Sequence, residues 1–454
     1  MRFHWIVKTV VAASALIAMT VGSAQGQESK EAPEENARNA DLLRLQEWVL
    51  IDRSLDPRRV RGALMKLEGM RRNTGLTMSD AEFYLATASI TALADNGHSN
   101  TSLSPIYNEF GVAPIRAYWF DEGLTITRAD AAHENLIGAR ITAIEGLSIE
   151  DQLAKIDAYH GGTVGALKAY TALGFMMSLA LQEAMGVVAD GTLSVEVVTA
   201  RGETEVVDFD GADMSTSIGR VWPWEQLVEG KENDSHTWVS ARPVAEALWL
   251  ASSDKVFQFK RLAGNVAYIQ FRQNMSSQDE DIRAFMAGVS DELTAKPASN
   301  IILDNRQNIG GDLTQTASFG LALPGHLEAG GKIYSLTSNA TFSAGIYNAM
   351  TPKAAAPDRT LVMGQVVGDR TAFWAERWMG FELPQTGWAL NYSLQKHDIG
   401  EGCNDASVCH LAGRGPINIT VGTVEPDHIV PMMYADYIAG RDAVLEAALD
   451  MIGE

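Results

Sequence analysis

Cysteine is almost missing from this chain: Cys403 and Cys409 are the only two in 454 residues, and only five residues separate them. In an oxidising compartment such a pair reads as a local disulfide. A metal held by Cys403, Cys409 and His410 is the competing reading, but no neighbouring ligand pair repeats zinc spacing. Basic charge is also scarce. Lys and Arg number 36 against 57 Asp and Glu, for a net charge of −21. That balance repels nucleic acid and anionic headgroups, and no basic stretch overrides it. Beyond the first segment no apolar run is long enough to cross a bilayer. There is no His-Glu-x-x-His, no Walker loop, no dinucleotide glycine pattern and no Gly-x-Ser-x-Gly. No internal repeat is visible.

Apolar residues make up 46% of the chain and charged residues 20%, enough for real cores, and the length predicts two or three domains. The start has the layout of a cleaved secretory signal: Arg2 and Lys8, an apolar run over residues 10–21, then Ala24-Gln25-Gly26. Its removal at residue 26 takes away two positive charges and leaves −23. No Cys follows to accept a lipid, so a periplasmic or secreted protein without stable membrane insertion is expected. Residues 27–40 are polar and Glu-rich and read as a disordered lead-in. Helical periodicity fills residues 41–95 and stops at Asp95-Asn96-Gly97. Residues 106–212 carry strand patterns, at 123–127, 138–146 and 193–198, around a helical piece at 149–156. Such a small barrel can bind a peptide end as an added strand. From about residue 255 strands and helices alternate, which predicts an α/β core with largely parallel pairing.

Three separated segments carry chemistry. Ser343, in Thr341-Phe342-Ser343-Ala344-Gly345, follows a strand and opens a helix, where a hydroxyl is exposed beside free backbone N–H groups. A plain N-cap serine fits the same local pattern. Residues 304–312 run from a buried strand into Gly310-Gly311, whose N–H groups suit an oxyanion hole, or into an ordinary turn capped by Asp312. His98 follows the Asn96-Gly97 helix stop and is either a general base or an ordinary packing histidine, one of nine. Two weaker features accompany them. Ser393-x-x-Lys396 has the spacing of penicillin-recognising enzymes but lacks a Lys-Thr-Gly partner. Trp374 and Trp378 flank Glu376, where they line a cleft or simply pack.

Together these segments resemble the tail-specific, or C-terminal-processing, serine protease family, in its tricorn-core and interphotoreceptor retinoid-binding branch. Asn96-Gly97-His98-Ser99, residues 138–146, residues 304–311, residues 341–345, Val424-Glu425-Pro426-Asp427 and residues 440–445 match its elements in order. The resemblance implies an α/β crotonase-like (ClpP/crotonase) core over residues 213–454, a PDZ-like β-rich domain over 106–212 and an N-terminal helical region over 41–105. It implies peptide-bond hydrolysis through an acyl-enzyme on Ser343, with a peptide or protein as partner and no metal or organic cofactor. Where the tail-specific branch carries a lysine, residues 364–371 have none. The tricorn-like alternative makes His98 the base and an acid after Ser343 its orienter. Glu401 is the assigned orienter, with Asp398 as competitor. Gly310 or Gly311 and Ala344 supply the oxyanion donors. Non-catalytic binding of a peptide or apolar ligand, and hydrolysis of esters or β-lactams, are the other activities this scaffold admits.

Overall fold

The computed structural model describes residues 35–73, 77–229, 236–377 and 380–453. The expected signal segment, most of the lead-in and Trp378 lie outside the described residues. Among the described residues, no helix is long and apolar enough to cross a membrane.

Three helices open the chain: α1 (Glu35–Ile51), α2 (Pro57–Asn73) and α3 (Asp80–Thr91). A capping box at Ser79 and Glu82 starts α3, and Asp95 ends the helical stretch in the left-handed conformation at φ 49°. Next comes a mostly antiparallel sheet of β1 (Ile115–Phe120), β2 (Gly123–Asp130), β3 (Arg140–Ile144), β4 (Leu147–Ser148), β5 (Thr192–Val198) and β6 (Thr204–Asp210), with α4 (Ile149–Ile156) beside it. Its path is β1-β2-β3-β5-β6, with β4 paired to β3. The strand β7 (Trp238–Ser240) adds to β2 of the same sheet. The boundary expected after residue 212 therefore cuts this sheet, because local patterning does not reveal a strand that pairs across a long connection.

The second sheet has the order β15-β12-β11-β10-β9-β8, built from β8 (Phe257–Arg261), β9 (Ala267–Phe271), β10 (Ile301–Asp304), β11 (Ile333–Thr337), β12 (Thr360–Gly364) and β15 (His428–Ile429). From β9 to β15 the pairing is parallel, as the alternation of strand and helix predicts. β10 and β11 are buried throughout, which explains their continuous apolar runs. Side chains alternate between faces. Ile301 and Leu303 join the core under the helix Ile282–Ala295, whereas Ile302 packs with Tyr334, Met363 and Val444 on the other side. A separate hairpin of β13 (Ala372–Ala375) and β14 (Gln395–Asp398) closes over the site.

Candidate active site

Parallel strands in sequence order deliver their C-terminal ends to one edge of the sheet, where loops converge. The loop after β10 carries Gly310 and Gly311, the turn after β11 carries Ser343, and the segment after β12 carries Asp369. The helix stop that follows α3 brings His98 to the same place.

Ser343 is not a capping serine. It sits at φ 55°, ψ −129° at the start of the helix Ala344–Ala355, and its side chain makes no cap hydrogen bond. A positive φ on a residue with a Cβ costs energy, of order 1–3 kcal/mol, and persists only where surrounding packing imposes it. The imposing contacts are visible. The Phe342 N–H donates to Asn308 O at 2.9 Å, and Asn274 N–H donates to Gly310 O at 2.6 Å. Asn308 Nδ2 donates to Asn274 Oδ1 at 2.7 Å and to Asn305 Oδ1 at 2.9 Å, and Asn348 Nδ2 donates to Asn305 Oδ1 at 2.8 Å. All four asparagines are fully buried, so this network locks the glycine loop against the serine turn. Gly310 lies so close that a Cβ there would fall 2.6 Å from Ser343 Cβ.

The N–H of Gly310 donates to Asn308 Oδ1 at 3.0 Å and is not available to a ligand. Of the expected oxyanion donors, that of Gly311 (φ 134°) and that of Ala344, the first residue of its helix, have no acceptor among the described residues.

The His98 imidazole is held between two phenyl rings: Phe342 at 4.5 Å between centroids and 22° between planes, and Phe373 at 5.3 Å and 10°. Phe342 immediately precedes Ser343, so the histidine and the serine meet in one locale. Both ring nitrogens are buried without a hydrogen-bond partner. The carboxylate beside them is Asp369, whose Oδ2 stands 3.5 Å from His98 Nδ1 without hydrogen-bond alignment, on a side chain only 2% exposed. Catalytic hydrogen bonds that are long without substrate commonly tighten with it.

The carboxylate within reach of the His98 ring is that of Asp369, in place of the expected Glu401 or its competitor Asp398. Glu401 is exposed on the turn after β14, where its N–H donates to Asp398 Oδ1 at 3.0 Å. Asp398 Oδ2 in turn accepts from Lys396 Nζ at 3.1 Å. Asp398 is engaged within its own turn and Glu401 points to solvent, whereas Asp369 lies 3.5 Å from the ring nitrogen. The signal that could have found Asp369 was its place in residues 364–371, the segment whose missing lysine had been noted. A second acid–imidazole pair was also missed. His397 Nε2 lies 3.2 Å from Glu376 Oε1, and the His397 ring stacks on the far face of Phe373 at 5.0 Å. The His397 hydrogen bond, acting against burial, holds Glu376 below its usual pKa; burial lowers that of His397.

The remaining motif residues are structural. Arg306 is buried between Asp304 (2.6 Å) and Asp442 (2.6 Å), tying the glycine loop to the C-terminal helix Ala443–Gly453. Asp427 pairs with Lys353 at 2.7 Å and accepts from the Val362 N–H at 2.8 Å. Ser393 is fully buried and bonded to Ser99 Oγ at 2.9 Å, and Lys396 is paired with Asp398, so the Ser-x-x-Lys spacing carries no nucleophile. Cys403 and Cys409 form the disulfide. Trp374 lies beside the guanidinium of Arg53, 6.0 Å from its ring centroid.

No family model matches the sequence, and no curated protein matches it. Solved structures do. Mature CPAF complexed with lactacystin aligns at a TM-score of 0.55 over 92% of this chain and 98% of that one, with 12% identity. Mature CPAF alone aligns at 0.55 over 92% and 96%, with 13% identity. The photosystem II D1 C-terminal processing protease matches over 90% of this chain and 98% of its own, at 12% identity and a TM-score of 0.40. The chain, a mixed α/β protein, thus shares the fold of mature CPAF across nearly its whole length.

Proposed function

We propose that the protein is an exported serine peptidase of the tail-specific family, hydrolysing peptide bonds through an acyl-enzyme on Ser343. The observation that carries this reading is the strained Ser343 turn: a hydroxyl with no structural hydrogen bond, set against a glycine loop and next in sequence to Phe342, whose ring stacks on the His98 imidazole. In the proposed mechanism His98 Nε2 takes the Ser343 proton as Oγ attacks the carbonyl, then gives it to the leaving amine. Asp369 holds the imidazole tautomer and balances the imidazolium charge. The N–H groups of Gly311 and Ala344 bind the oxyanion; losing one such donor costs about 2.7–4 kcal/mol of barrier. The first sheet is read as the PDZ-like domain and the second as the crotonase-like core. CPAF shares the fold, and the sequence resemblance supplies the chemistry.

An active-site-directed phosphonate tests the assignment. The wild-type protein is labelled and Ser343→Ala is not; equal labelling of both would place the nucleophile elsewhere. The unmade hydrogen bonds of His98 favour a second reading, a binding protein on the same scaffold. Absence of labelling in the wild type, together with retained peptide binding, would establish that reading instead.

A further inference from the structure

Beside the serine turn lies an open cleft of about 260 Å³. Each of the three chemical segments lends it one residue: Gly97 before His98, Ile309 before the Gly310-Gly311 pair, and Phe342 before Ser343. The cleft therefore borders the serine turn.

The rest of the wall mixes aromatic rings with neutral polar residues such as Asn100, Ser102 and Asn391, and it carries one charge. Tyr84, Phe175 and Tyr159 follow one another at centroid separations of 6.2 and 6.1 Å. Tyr84 and Tyr170 have already donated their hydroxyls, to Ser102 O at 2.9 Å and Ala340 O at 2.5 Å. Among the residues lining the cleft, Arg220 is the only Asp, Glu, Lys or Arg. Its guanidinium lies 5.3 Å from the Trp222 ring centroid, and among the described residues it has no carboxylate partner. That is notable in a chain with 57 acidic residues. His160 also lines the cleft, with its Nδ1 3.2 Å from Thr171 Oγ1. Aromatic rings and neutral polar groups around a lone cation suit an anionic group carried on an aliphatic stem.

We propose that this cleft is a specificity pocket for an acidic side chain of the peptide, with Arg220 as its charge partner. The proposal deepens the peptidase reading and rests on it for the ligand being a peptide.

Binding to Ser343→Ala, followed by fluorescence anisotropy, tests the pocket without requiring turnover. The probes are N-acetylated, C-amidated peptides differing at one position, Glu, Gln, Lys or Leu. The Glu peptide binds ~10-fold more tightly than the Gln peptide, the scale of one charged hydrogen bond. Adding Arg220→Gln removes the preference, and adding Arg220→Glu turns it toward Lys. Equal binding of the Glu, Gln and Lys peptides would overturn the proposal, as would a preference that survives Arg220→Gln. So would discrimination seen only when the peptides carry a free terminal carboxylate. Phosphonate labelling of the wild type reports separately on the peptidase reading. Labelling without charge preference removes the pocket alone, and charge preference without labelling removes the peptidase alone.

Discussion

Replacing Asp369 by Asn tests the assignment that differs most from the sequence expectation. The carboxylate lies 3.5 Å from His98 Nδ1 and is 2% exposed, so water screens it little. At that separation and an effective dielectric near 20, attraction to an imidazolium is about 4–5 kcal/mol. Each 1.36 kcal/mol changes a rate tenfold, so neutralising the carboxylate slows acylation roughly 10³-fold. The amide also favours the wrong imidazole tautomer. Stability should not fall. Asp369 Oδ2 is buried without a hydrogen-bond partner, and the amide removes a buried charge while keeping the shape; its Oδ1 still accepts from the Arg370 N–H at 2.8 Å. The assay is the second-order rate of phosphonate labelling, with Tm measured alongside. Glu401→Gln is the control: on an exposed side chain its effect stays within about twofold. Asp369→Asn labelling within threefold of wild type, with Glu401→Gln the slower variant, would return the role to Glu401 and refute the reasoning.

Other outcomes follow from the same geometry. Gly310→Ala places a Cβ 2.6 Å from Ser343 Cβ at φ 100°, so labelling falls at least about tenfold while Gly325→Ala, with open space around it, is neutral in labelling rate and Tm. Arg306→Met leaves Asp304 and Asp442 buried without their cation and lowers the unfolding free energy by about 3–5 kcal/mol, read from urea titrations. Burial depresses the His160 pKa from 6.5 to about 4 in the folded protein, so folding excludes a proton that the unfolded chain accepts. Its contribution is complete above about pH 6.5 and is lost as pH falls toward 4, roughly 3 kcal/mol over that window; urea titrations of His160→Gln at pH 7 and pH 4.5 show a shallower loss than wild type.

Local patterning was enough to define the elements and the setting of Ser343. Strand and helix periods depend on neighbours in the chain, so the alternation after residue 255 predicted β9 to β12 and their helices closely. It placed Ser343 and the glycine pair at strand ends, because the turn residues there are local. It put Cys403 and Cys409 within reach of each other for the same reason. The tertiary structure alone decided what crosses between segments. It gave β7 to the first sheet, and it separated Gly310, whose N–H is consumed by Asn308, from Gly311, whose N–H is not. It also turned Asp304, Arg306 and Asp442 from motif letters into one buried ion cluster. Above all it put Asp369, rather than Glu401, beside His98 Nδ1. A carboxylate's role depends on its distance to a ring more than two hundred positions away and on its exclusion from water, and neither quantity is written in a local run of residues.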